Sequence, residues 1–95
     1  MDIALLDVQK VCSFTDYLVI CSSESNRQMK AIFDEVAHIL KREGIPPHHC
    51  EGAVDSGWLL LDFGSVIVHI FSALEREYYQ LDDLWSRAIP IIRIQ

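Results

Sequence analysis

The sequence has no Cys-x-x-Cys pair, no basic cluster and no long apolar run, and each absence closes off a class of function. The three cysteines, Cys12, Cys21 and Cys50, are odd in number and far apart. That usage predicts reduced thiols in a cytosol-like, cytoplasmic compartment. The eight basic residues (Lys10, Arg27, Lys30, Lys41, Arg42, Arg76, Arg87 and Arg93) are scattered, and the net charge is −6. Counterion-release binding to phosphates needs clustered positive charge, so direct, sequence-specific nucleic-acid binding is disfavoured. An acidic domain suits a basic protein surface better. No apolar run approaches the ~20 residues that span a bilayer, so no membrane partner is expected. Asp2 and Asp7 bracket the only early apolar run, and nothing reads as a signal peptide. Internal repeats and low-complexity segments are also missing.

What is present describes one α/β domain. Ninety-five residues, 51% of them apolar and 23% charged, make a single globular unit with a modest core. The central feature is a pair of apolar runs, 58–63 and 66–71, separated by Gly64-Ser65. Glycine before a small polar residue is a two-residue hairpin signal, because glycine supplies the positive φ of a type II′ turn. That turn fixes the register. Phe63 faces Val66, Leu61 faces Val68 and Leu59 faces Ile70, all on one apolar face. Asp62 faces Ile67, Leu60 faces His69 and Trp58 faces Phe71 on the other. A hairpin apolar on both sides must be covered on both sides, which places it inside a layered sheet. Asp62 and His69 then lie diagonally on one face, roughly 7–8 Å apart.

The remaining chain supplies the other elements. Residues 3–8 and 16–21 read as strands, the second rich in β-branched and aromatic residues. Ser25 with Gln28 makes a capping box, and Met29, Ile32, Phe33, Val36, Ala37 and Leu40 form one apolar stripe of a helix running to about Glu43. Gly44 is its C′ residue. Residues 45–50, with Pro46 and Pro47, read as a stiff linker, and 48–51 as an edge strand. Short helices are expected over 73–79 and 81–86. Pro90 blocks continuation, and residues 89–94 form an apolar tail whose role is left open. The expected architecture is a mixed sheet of about five strands with helices packed on it.

Glu51-Gly52, Trp58, Asp62-x-Gly64, Val68-His69-x-Phe71, Arg76, Tyr79-x-Leu81 and Leu84-Trp85 together resemble the signature of the Iojap family, the ribosomal silencing factors (RsfS). Leu6-Asp7-Val8, Thr15-Asp16-Tyr17 and Ser25-Asn26-Arg27 resemble its first strand, second strand and helix start, so the resemblance covers residues 3 to 85. It implies a nucleotidyltransferase-like topology and a non-enzymatic factor without cofactor. Such a factor binds the large ribosomal subunit through ribosomal protein uL14, blocks subunit joining and represses translation. Organelle relatives aid large-subunit biogenesis. It also implies a helix ahead of the first strand, which this chain lacks or carries truncated, so residues 1–95 are read as one such domain.

Two readings of the residues compete with this one. Nucleotidyltransferases place two carboxylates two apart on a strand to hold Mg²⁺; Asp16 is followed at the second position by Leu18, which argues against a nucleotide-binding enzyme. A homodimerising module draws support from the first-strand face and the 89–94 tail. Asp62 and His69 could form an acid/base dyad, but a diagonal pair is too distant unless the side chains reach across, and a half-buried histidine with a polar partner is favoured. His48, His49, Cys50 and Glu51 alternate sides in an extended segment and offer too few ligands for a metal. Partner-binding residues are expected to be Asp62 and His69 of the hairpin with Arg76, Tyr79 and Trp85 beyond it, since arginine and aromatics dominate interface energies.

Overall fold

A computed structural model describes residues 3–72, 87 and 89–94. Its strands are β1 (Ile3–Asp7), β2 (Tyr17–Ser23), β3 (His49–Ala53), β4 (Trp58–Asp62), β5 (Val66–Ser72) and β6 (Ile89–Ile94), with helix α1 at Asn26–Arg42. They form one six-stranded sheet in the order β3-β4-β5-β2-β1-β6. β2 and β5 pair in parallel; every other neighbouring pair is antiparallel. The mixed α/β sheet is the one the sequence predicts. Its additional strand is the 89–94 tail, which pairs with β1 and forms one edge. The segments 73–79 and 81–86, where short helices are expected, lie outside the described residues.

The β4–β5 hairpin has the predicted register: Trp58 opposite Phe71, Leu60 opposite His69 and Asp62 opposite Ile67. Gly64 adopts φ 87°, which its lack of a Cβ permits. The Ser65 carbonyl accepts from the backbone N–H groups of Asp16 and Tyr17 and so locks the turn to the start of β2. β3 continues the sheet past β4 as an edge strand, two residues further than the sequence suggests, and all its residues are exposed.

Helix α1 begins where its cap requires. The Ser25 hydroxyl accepts from the Gln28 N–H at 3.0 Å. The Gln28 side chain does not return to Ser25, as a capping box would have it; it accepts from the Glu24 N–H at 2.7 Å, one residue earlier. Either way two free amide groups at the helix start gain partners. At the far end Gly44 N–H donates to the Lys41 carbonyl and Ile45 N–H to the Leu40 carbonyl, a Schellman closure. Among the described residues no helix is long and apolar enough to cross a membrane.

The two faces of the sheet carry separate cores. Met29, Ile32, Phe33, Val36 and Ala37 of α1 pack with Cys21, Leu59, Leu61, Val68 and Ile70, the hairpin face predicted to be wholly apolar. The opposite face gathers Ala4, Leu6, Val8, Leu18, Ile20, Ile67 and Phe71, with Trp58 and Leu60 against them. Polar groups of the hairpin therefore lie on the face turned away from α1.

Candidate functional site

Asp62 and His69 occupy that second face because strand alternation puts both there. They do not hydrogen-bond to one another. Asp62 closes β4, and its carboxylate oxygen Oδ1 accepts from the Gly64 N–H at 2.8 Å, a local turn that braces the hairpin. His69 has a different partner. The indole Nε1–H of Trp58 donates to His69 Nδ1 at 3.1 Å. The imidazole stacks on Trp58 at 6.1 Å between ring centroids and on Phe71 at 5.8 Å, nearly parallel to the latter at 8°.

These contacts set the chemistry of His69. Burial pushes its pKa below the ordinary value of 6.5, because a charged ring in this setting loses water. Accepting at Nδ1 requires the neutral ring, with its proton on Nε2. An Asp62-oriented acid/base dyad does not form here; the polar partner expected for His69 is present, but it is Trp58. The sequence signal for it was the diagonal relation of positions 58 and 69, equivalent to that of 62 and 69.

The other candidate groups separate by position. Leu18, where a second carboxylate would stand, is part of the buried core, while Asp16 uses its N–H on the hairpin turn. His49 and Glu51 face one side of β3 with Nε2 and Oε1 3.6 Å apart, and His48 N–H donates to the Asp62 carbonyl. Among the described residues no three metal-capable side chains converge. Cys12, Cys21 and Cys50 form no disulfide, and the Cys21 thiol donates to the His69 carbonyl at 3.7 Å. Arg76, Tyr79 and Trp85 lie outside the described residues, so of the five predicted partner-binding residues the structure describes only Asp62 and His69, on one face of one hairpin.

Comparison with known proteins agrees with the fold. A family model described as "Ribosomal silencing factor during starvation" matches residues 1–95. The ribosomal silencing factor RsfS of Bacillus subtilis is 38% identical over 87 residues, covering 92% of this chain and 74% of that protein. A mouse protein named for mitochondrial assembly of the ribosomal large subunit is 34% identical over 88 residues, covering 90% of this chain and 39% of its own length. The crystal structure of a Chromobacterium violaceum protein superposes with a TM-score of 0.82 at 32% identity, covering 98% of this chain and 78% of that one. With the predicted motifs, the hairpin register and these relatives in agreement, the chain belongs to the RsfS family of ribosomal silencing factors.

Proposed function

We propose that this protein is a non-catalytic ribosomal silencing factor that binds the large subunit through ribosomal protein uL14 and blocks small-subunit joining in the cytoplasm. The observation that carries this reading is the family match along residues 1–95. The name of the mouse relative, which refers to the large subunit, supports the choice of subunit. Occlusion requires a rigid surface and no reacting group. A six-stranded sheet braced by Trp58, His69 and the Asp62 turn supplies such rigidity, and the net charge of −6 suits a basic ribosomal protein.

The binding surface in this proposal is the hairpin face turned away from α1, with Asp62 and His69, extended by Arg76, Tyr79 and Trp85. Sedimentation of ribosomal subunits with wild type, Arg76→Ala and Tyr79→Ala tests it. Each substitution is expected to weaken the block by about 1–3 kcal/mol, while circular dichroism reports an intact fold, and binding of the wild type should weaken with salt. Folded variants that prevent joining as well as the wild type would refute this choice of surface. A wild-type chain that leaves joining untouched would refute the function itself.

A further inference from the structure

The chain between β1 and β2 makes a loop over residues 8–16. Where it leaves β1 and passes the start of β6 there is a hollow of about 140 Å³, lined by Asp7, Gln9, Lys10, Val11, Arg87 and Ile89. In the sheet Asp7 is paired with Ile89, so the wall on this side is set by the β1–β6 register. The hollow lies three strands from β4, outside the hairpin that carries Asp62 and His69.

Two properties set this place apart. The first is apolar exposure. Val11 and Ile89 are 43% and 52% exposed, and Phe14 on the same loop is 74% exposed. A single exposed apolar residue is ordinary, but two that line one hollow, with a third on the same loop, offer an apolar contact. The second is charge. Lys10 and Arg87 both line the hollow, in a protein of net charge −6, and neither makes an ion pair with a described residue. Asp7, which also lines it, turns Oδ1 back to accept from the Gln9 N–H at 3.0 Å. Two cations without an acidic partner among the described residues, beside solvent-exposed Val11 and Ile89, complement a carboxylate next to apolar groups.

The occupant can be narrowed further. β6 is an edge strand, but it contains Pro90, which has no N–H, and its pairing with β1 is broken by a register shift between Leu5 and Leu6. Both features blunt strand addition, so side chains rather than main chain must carry a contact here. A symmetric pair of copies with its axis at this hollow would bring Lys10 and Arg87 of one chain toward the same cations of the other, which is repulsive. A nucleic-acid strand would satisfy the cations but leave the apolar side chains of Val11 and Ile89 unused.

We propose that this hollow docks a segment of another protein in which an acidic residue adjoins large apolar ones, the carboxylate between Lys10 and Arg87 and the apolar side chains against Val11 and Ile89. The test uses the full chain, isotope-labelled for amide NMR, and three short synthetic peptides: one alternating Glu with Leu and Phe, one with Lys replacing Glu, and one with Ser replacing Leu and Phe. The first alone is expected to shift the amides of residues 9–11, 89 and 91. The K10E/R87E variant should bind it about tenfold more weakly or worse, a loss of about 1.4 kcal/mol, and should gain affinity for the lysine peptide. V11S/F14S, changed only at exposed positions, should lose the acidic peptide as well, which keeps the proposal testable if the charge reversal fails to fold. The proposal is overturned if the acidic peptide shifts none of these amides at millimolar concentration, or if all three peptides act alike. It is also overturned if both variants bind as the wild type does, if a short single-stranded RNA perturbs the same amides more strongly, or if sedimentation shows the chain self-associating through these residues. None of these outcomes depends on the subunit-joining assay.

Discussion

Replacing Gly52 with alanine places a methyl group against the neighbouring strand. Gly52 sits in edge strand β3 opposite Leu59, with φ 90°. A Cβ there would overlap the Trp58 carbonyl oxygen and stand 3.1 Å from the Trp58 carbonyl carbon and 3.2 Å from Leu59 Cα. All three are backbone atoms of β4, so no side-chain rotation relieves the clash. The positive φ alone costs a residue with a Cβ about 1–2 kcal/mol, and Gly44→Ala measures that part separately. Gly44 has φ 82° but nothing within 4 Å of its Cβ position. The clash adds to this in Gly52→Ala, for a total of about 2–4 kcal/mol, in the range of strain at a special backbone position. For a domain of this size, that corresponds to a drop in melting temperature of roughly 10–25 °C. The assay is thermal unfolding of the wild type and both variants by circular dichroism. Amide exchange over residues 49–53 shows whether β3 peels away from β4 while the rest persists. If Gly52→Ala melts within about 0.5 kcal/mol of Gly44→Ala and β3 stays protected, the close approach of the two strands is wrong.

Trp58→Phe keeps most of the packing but removes the donor to His69 Nδ1; denaturant unfolding should show a loss of about 1–2 kcal/mol, and Trp58→Tyr should not restore it unless its hydroxyl reaches the ring. Because the folded state holds the His69 pKa below 6.5, the unfolded chain binds the proton more readily. The contribution of His69 to stability is therefore complete above about pH 6.5 and is lost as pH falls from there through the folded-state pKa. Urea unfolding of the wild type and His69→Gln between neutral and mildly acidic pH should converge on acidification; parallel curves would place the titration elsewhere. Ser25→Ala, which removes the acceptor for the Gln28 N–H, should cost about 1 kcal/mol, read as a lowered denaturation midpoint with an unchanged denaturant slope.

The parts of the fold that were legible in the sequence are those fixed by short-range rules. Gly64-Ser65 determined the hairpin register because a two-residue turn leaves no freedom in the pairing that follows. Ser25 and the stripe from Met29 to Ala37 located the helix and the sheet face beneath it. The partner of β6 was not legible, since an apolar tail such as 89–94 carries no local signal for a strand at the opposite end of the chain. Within the site, alternation put Trp58, Asp62 and His69 on one face but could not choose between the two diagonals at His69. The short Asp62 side chain turned to an amide two residues ahead, while the longer indole of Trp58 reached the ring. The hollow beside Lys10 and Arg87 was also hidden, because it exists only once β6 lies against β1.

That late pairing bears on how the protein is made. β1 is translated first, yet one side of it stays without its neighbour until β6 follows, since Ile3 lies opposite Ile94. On a ribosome adding about 5–20 residues per second, the interval is roughly 5–20 s, far longer than the microseconds in which a β1–β2 hairpin can form. The nascent chain therefore carries an open strand edge until residues 89–94 have been made. The central parallel ladder between β2 and β5 can close once Ser72 has emerged, but the sheet reaches its full width only after Ile94 leaves the exit tunnel.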